Sequence, residues 1–260
     1  MSHIKVEKRG RLLMIGIDHA DKYNAFSVAM FQDLGLALGE LQKDDALRCG
    51  VIYAEGKHFT SGLDLAEWGG VFGAGKMPDL PEGALDPFGF DEDKRVMKPV
   101  VMAVQGLCYT IGQELMLTTD IRIAAEDVKF AQLEIKRGIY PVGGGTIRLI
   151  HEIGWGNAMR YLLTGDEITG PDALRMGLVQ ELVKPGKHVD RAIKIAETIA
   201  KQAPLAVYAT LRSSRLARAN AENAAMQTLL PELRKLIKTD DAQEGIMSFM
   251  ERREANFKGK

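Results

Sequence analysis

The chain has 260 residues, 46% of them hydrophobic and 27% charged, and its 34 basic and 35 acidic side chains leave a formal net charge of −1. That is material for one large globular core, or a core with an appendage. It excludes the overall positive field that would draw the chain to nucleic acid or an anionic membrane, so an anionic ligand has to be met by local devices.

Ile4–Arg9 alternates apolar and charged residues, residues 12–18 are mostly apolar, and Arg9-Gly10-Arg11 between them predicts a β-hairpin. Ser27 is placed to cap a helix whose face carries Met30, Leu34, Leu38 and Leu41. Residues 47–54 read as a strand, followed by a loop over 55–62 and a short helix that begins near Leu63. Residues 70–90 scatter Gly, Pro and Asp without a sustained period, which predicts a mobile surface segment serving as lid or pocket wall. Residues 99–104 form a buried strand, Gly106 turns the chain, a helix occupies roughly 111–117, and Ile121–Ala125 is another strand. After Phe130-Ala131-Gln132-Leu133-Glu134 the chain bends at residues 140–145. It then continues mostly helical, interrupted at Gly154-Trp155-Gly156 and Gly170-Pro171. The last helices, about 203–216, 221–238 and 240–255, are strongly amphipathic. The organisation expected is an α/β, strand-rich core over residues 1–200 and a helical region over 201–260.

Several chemistries can be set aside. Cys49 and Cys108 are far apart, sit in apolar segments and form no C-x-x-C, which predicts buried thiols in a reducing compartment rather than a zinc or redox pair. The start of the chain lacks a signal-peptide core, and no apolar run approaches the roughly 20 residues that span a bilayer. A cytoplasmic protein with no membrane partner is expected. Residues 70–77 fall one residue short of a phosphate-loop pattern, but Met77 stands where a magnesium-binding hydroxyl is needed, and no strand feeds the segment. Gly143-Gly144-Gly145 lacks the dinucleotide spacing and reads as a tight approach before a helix. The five histidines are scattered and there is no Gly-x-Ser-x-Gly elbow, so no metal site or nucleophilic triad is proposed.

Twice, at residues 50–65 and 100–115, the chain runs strand, glycine-containing turn, helix N-terminus. Helix N-termini leave backbone N–H groups unpaired, and two of them converging would make an oxyanion hole. The same pattern is also how such cores are ordinarily built, and spacing alone leaves both readings open. Glu114 falls in the first turn of the second helix among Val104, Leu115, Met116 and Leu117, and Glu134 follows another apolar run. A carboxylate in such a setting is either a dipole-favoured surface residue or a desolvated acid with a raised pKa. Two of the latter could divide the proton chemistry of one water molecule.

These residues resemble a known family. The segments 56–65 (GKHFTSGLDL), 98–106 (KPVVMAVQG), Asn24-Ala25, 130–134, 141–146 (PVGGGT), 162–166, 173–179 and 252–258 are similar, in order along nearly the whole chain, to the crotonase (enoyl-CoA hydratase/isomerase) superfamily. The resemblance implies a crotonase-like spiral of ββα turns with a helical C-terminal trimerisation region, assembled as a homotrimer or dimer of trimers. It implies an acyl-CoA substrate, with coenzyme A entering only as part of that substrate and no separate cofactor. The oxyanion donors implied are the backbone N–H groups of Leu63 and Ile111. Contacts to substrate or coenzyme A are implied at Lys22, Ala25, Ser61, Gly62, Asp64, Leu65 and Val142. In the hydratase scheme Glu114 is the base toward water adding at C3, and Glu134 supplies the proton to C2. Isomerisation, thioester hydrolysis or dehalogenation of the same kind of enolate, and non-catalytic CoA or RNA binding, are the alternatives. This sequence departs from the glycine-rich second oxyanion segment at Tyr109-Thr110-Ile111-Gly112, which bears on the acyl pocket. Trp68, Phe72, Phe88 and Phe90 read as pocket lining or as anchors of their segment.

Overall fold

The computed structural model describes residues 3–227 and 229–256, with backbone alone at positions 92, 219–226 and 232. Its main sheet begins with the expected hairpin, β1 (Ile4–Arg9) and β2 (Leu12–Ile17), paired antiparallel from Ile4↔Ile17 to Arg9↔Leu12. Strands β3 (Cys49–Ala54), β4 (Val100–Val104), β6 (Ile121–Ala125) and β9 (Glu181–Val183) then add in parallel, in the order β1-β2-β3-β4-β6-β9. A smaller sheet joins β5 (Leu107–Tyr109), β7 (Lys129–Ala131) and β8 (Ile168–Thr169), and a parallel bridge from Thr60 to Cys108 extends it.

Both faces of the main sheet are covered, as a mostly parallel sheet requires. The two-residue period of β2 sorts its side chains between them. Leu13, Ile15 and Ile17 join the larger core with Met30, Leu34, Leu38 and Leu41 of α1 (Val28–Lys43), while Leu12 and Met14 join Val51, Val101 and Ile123. That second layer is closed by α7 (His188–Ala200), whose Ala192, Ala196 and Ala200 let the helix lie close to the strands. Ser27 caps α1 as expected, its Oγ accepting the Met30 N–H at 3.1 Å.

The segment 70–90 differs from its expectation as a mobile surface stretch. The helix α2 (Leu65–Ala74) runs through its first part, capped by Asp64 and ended by Gly75 in the left-handed conformation. The rest lies directly on α1: a Cβ at Gly39 would be 1.9 Å from the Gly83 carbonyl oxygen, and one at Gly35 would be 2.7 Å from that of Leu85. Asp86 then accepts the Phe88 and Phe90 N–H groups at 2.9 and 2.7 Å. Lack of sequence period here reflects packing through backbone and small residues, which leaves no hydrophobic stripe to read.

Beyond residue 140 come α4 (Gly145–Ile153), α5 (Trp155–Leu162) and α6 (Gly170–Met176), with Gly154 at φ 78° joining the first two. The C-terminal helices are α8 (Pro204–Met226), α9 (Leu229–Leu236) and α10 (Asp240–Met250). α8 passes without interruption through residues 217–220, where a break was expected. It docks through Arg215, which donates to Asp120 at 2.8 Å and to the Val96 carbonyl at 2.6 Å, and through Arg218, which pairs with Glu152 at 2.8 Å. Phe257 and Lys258, the end of the C-terminal run, lie outside the described residues. Among the described residues no helix is long and apolar enough to cross a membrane, and no group of three or more His, Cys, Asp or Glu is placed to hold a metal.

Candidate active site

The loop between β3 and α2 is held by buried polar side chains. Asn24, at φ 54° and wholly buried, accepts the His19 N–H through Oδ1 and donates through Nδ2 to the carbonyls of Glu55 (2.9 Å) and His58 (2.8 Å). Gln105 donates to the carbonyls of Ala54 and Gly56. Thr60 Oγ1 donates to the Asn24 carbonyl at 2.6 Å and accepts the Gly62 N–H at 3.1 Å. At Phe26 the chain bridges this loop, its N–H donating to Gly62 O and its carbonyl accepting the Asp64 N–H. Bonding alternates along an extended strand, so the Leu63 N–H is turned to the opposite side.

The second segment starts at Thr110, whose φ of 45° and ψ of −112° lie outside the usual regions for a side chain of its kind. Such strain costs on the order of 1–3 kcal/mol and persists where the surroundings over-determine it. Here Thr110 N–H donates to Ala131 O, and Gly62 at φ 119° presses against Thr110 so closely that a Cβ would meet Oγ1 at 2.6 Å. Helix α3 (Ile111–Met116) follows, with Ile111 as its first residue. Among the described residues neither the Leu63 nor the Ile111 backbone N–H has an acceptor.

Glu114, in the first turn of α3, is 4% exposed. Its Oε1 accepts the N–H of Gly143 at 2.7 Å and that of Gly145, the first residue of α4, at 3.0 Å. The glycines are sterically required: a Cβ on Gly143 would lie 2.5 Å from Glu114 Oε2 and 2.6 Å from the Phe88 ring. Burial pushes the Glu114 carboxyl up to about 7, while these two N–H bonds and the nearby Arg148 guanidinium hold it from rising further. Arg148 is itself buried, over the Phe90 ring, with a guanidinium N–H 3.4 Å from the Gly143 carbonyl.

Glu134 opens the 3-10 turn Glu134–Arg137 that follows β7. Burial, and then the neighbouring Glu114 charge, push its carboxyl well above the usual range. The Gln132 side-chain amide lies against Glu134, 3.0 Å from both carboxyl oxygens. The two acids titrate as one system. Their surroundings are unequal, since Glu114 has two backbone donors and a cation, whereas Glu134 has a like charge beside it. The proton is therefore held more firmly on Glu134 than on Glu114.

One cavity of about 590 Å³ collects most of the residues singled out from the sequence. Ala25, Ser61, Gly62, Leu63, Asp64 and Leu65 line it from one group of elements, and Glu114, Glu134 and Val142 from another. Lys22 is exposed on a 3-10 turn, and the Ile111 side chain is buried in the core, so neither lines the cavity. Of the four aromatics considered, Phe72 lines it. Trp68 is an anchor whose Nε1–H donates to Phe26 O at 2.8 Å, and Phe88 and Phe90 pack behind Gly143 and Arg148. Reading the sequence missed Arg148, Gln132 and Arg137, and it missed Leu233 and Phe249, which the C-terminal helices bring to the wall. The triple glycine was the one local signal of a close approach, although not of what approaches.

Known proteins of the same kind are readily found. The sequence model of the family described as enoyl-CoA hydratase/isomerase matches residues 7–260. The chain is 34% identical to the enoyl-CoA hydratase EchA19 of Mycobacterium tuberculosis, over 98% of this chain and 96% of that protein. Among solved structures, a probable enoyl-CoA hydratase/isomerase from Mycobacterium abscessus is 46% identical, superimposes with a TM-score of 0.80 and covers 99% of both chains. A carnitinyl-CoA hydratase from Mycobacterium avium is 33% identical, with a TM-score of 0.88 and complete coverage of both chains. With its ββα architecture, its cavity and this match along almost its whole length, the chain belongs to the enoyl-CoA hydratase/isomerase family, the crotonase superfamily.

Proposed function

We propose that the protein is a hydro-lyase that adds water across the 2,3 double bond of an enoyl-CoA thioester. The observation that carries this reading is the pair of acids facing one cavity in unequal settings, Glu114 accepting two backbone N–H groups and Glu134 raised by burial and by Glu114 itself. Glu114 takes a proton from water as its oxygen bonds to C3. The electron pair of the double bond moves onto the thioester oxygen, which receives the unpaired N–H groups of Leu63 and Ile111. Glu134 then delivers its proton to C2, and the proton on Glu114 is returned to Glu134 through solvent. The net change is one water added, so the reaction as written requires no cofactor. A double-bond isomerase moves one proton between two carbons and has less use for two acids in opposite states.

Ala25, Ser61, Gly62, Asp64, Leu65 and Val142 would hold the acyl-pantetheine part, with Lys22 available at the surface for the coenzyme A phosphates. Assembly as a homotrimer or dimer of trimers is supported by exposed apolar side chains on the C-terminal helices, including Leu205, Leu216, Ile246 and Met250. A cytoplasmic location is supported by the two buried, unpaired thiols.

The test is loss of the conjugated thioester absorbance of crotonyl-CoA and longer enoyl-CoAs. Turnover is expected, falling by about 10²–10⁴-fold in Glu114→Gln and in Glu134→Gln. Tight binding of saturated acyl-CoA with no turnover of any enoyl-CoA, or full activity in either variant, would refute the assignment.

A further inference from the structure

Arg137 is the last residue of the 3-10 turn that begins with Glu134, and it lines the same cavity. In a 3-10 turn residues three apart share a face, so the turn presents an acid and a guanidinium to one space. The two form no ion pair, and the Glu134 carboxyl is raised by burial and by Glu114. Among the described residues the guanidinium makes a single hydrogen bond, to the carbonyl of Lys136 at 3.0 Å, and lies 4.4 Å from the centroid of the Phe249 ring. Among the described residues no carboxylate forms an ion pair with it, and it is the only cation in this lining, although it also borders a second pocket with Phe249, Arg253 and Glu254. Most of its five N–H donors are therefore left for something bound.

Its placement is set from the backbone. A Cβ on Gly245 of α10 would stand 2.5 Å from the Arg137 carbonyl carbon, and one on Gly138, at φ 70°, would stand 2.6 Å from Ala242 Cα. Two glycines thus let α10 press directly on the turn, and the same helix supplies the Phe249 ring under the guanidinium. Partial burial already penalises this charge with no counter-charge to offset it. The elements around it (the 3-10 turn, α9 through Leu233, and α10 through Phe249) are distinct from the loop 61–65 proposed to hold the thioester end. With the thioester end placed at loop 61–65 as proposed, Arg137 borders the part of the cavity left for the acyl chain.

We propose that Arg137 recognises a carboxylate at the far end of the acyl chain, so that the favoured substrates are ω-carboxylated enoyl-CoA thioesters. This rests on the hydratase reading for its reaction but not for its binding, and the test separates the two. Two thioesters of equal chain length are compared, one ending in a free carboxylate and the other in its methyl ester. For both, kcat/KM of hydration is measured, and the dissociation constants of the corresponding saturated thioesters are measured by calorimetry. A charge-assisted, stacked contact predicts a preference for the carboxylate of roughly 10- to 100-fold in both quantities. Arg137→Met should bring the ratio to about one, and Arg137→Lys should retain part of it. A wild-type ratio near one in binding and in turnover overturns the proposal while leaving hydration intact. So does an equal loss on both thioesters in Arg137→Met, which would place the guanidinium on the phosphates of the shared coenzyme A. A carboxylate preference in binding with no turnover of any enoyl-CoA upholds the clamp and removes the hydratase reading instead. Should Arg137→Met not fold, the wild-type ratio and Arg137→Lys still decide the question.

Discussion

The caged carboxylate should be expensive to the fold, and Glu114→Gln measures how expensive. Burial raises the Glu114 carboxyl from 4.5 to about 7, so the native state holds this proton more firmly than the unfolded chain. At about 1.4 kcal/mol per pH unit, ionised Glu114 destabilises the native state by on the order of 3 kcal/mol. A raised carboxyl contributes stability that is complete below the unfolded value and is lost as pH rises through the folded one. The window here runs from about 4.5 to about 7. Glutamine keeps an oxygen for the Gly143 and Gly145 N–H groups without ever ionising. Glu114→Gln should therefore differ from wild type by less than about 1 kcal/mol at pH 5, and be more stable by on the order of 3 kcal/mol at pH 8.5. At this chain length that is roughly 5–10 °C in melting temperature. Thermal and urea unfolding of both proteins at the two pH values checks it, with the activity loss measured on the same samples. A stability difference that does not change with pH, or a variant less stable at pH 8.5, would refute the account of Glu114 as a desolvated anion.

The pH profile of kcat/KM should be bell-shaped, its acid limb set near pH 7 by Glu114 and its alkaline limb set higher by loss of the Glu134 proton. A flat profile from about pH 6 to 9 would remove the two-acid assignment. Gly143→Ala places a methyl 2.5 Å from Glu114 Oε2 and 2.6 Å from the Phe88 ring. It should lower kcat by about 10²-fold and cost about 1–3 kcal/mol of stability. Gly156→Ala, where an added methyl meets nothing within 4 Å, is the matched control for denaturation and steady-state kinetics.

Much of the scaffold could be read from the chain because it rests on local rules. Alternation in β1, the apolar run of β2, the Ser27 cap and the Met30–Leu34–Leu38–Leu41 stripe each report on their immediate surroundings. Elements built on distant partners left less trace. Strands β5, β8 and β9 are two or three residues long and exist only because β7 and β6 are there to pair with them. Residues 75–90 carry no period since their contacts are to the backbone of α1 at Gly35 and Gly39. At the site, Glu114 and Glu134 were marked by apolar neighbours, a signal that burial leaves in the sequence itself. What distinguishes their roles was not legible: the Gly143 and Gly145 N–H groups and Arg148 lie some 30 residues beyond Glu114, and only the fold brings them to it.

The arrangement of charge also explains how two carboxyl groups can occupy one apolar cavity. Two anions at this depth would each lose hydration and repel the other, and this is what raises the Glu134 carboxyl well above its usual range. The remaining anion on Glu114 is met by Arg148 and two N–H groups, so the acid pair and its nearest cation sum to zero at rest. Arg137 is the one cation among the described residues of the lining, which also carries the Asp64 carboxylate at loop 61–65. A neutral acyl chain would leave the Arg137 guanidinium partly dehydrated with no ion-pair partner, whereas a carboxylated one would supply that partner. Local pairing of charge, the rule that sets Glu114 apart from Glu134, thus also argues for an anionic end on the substrate at Arg137.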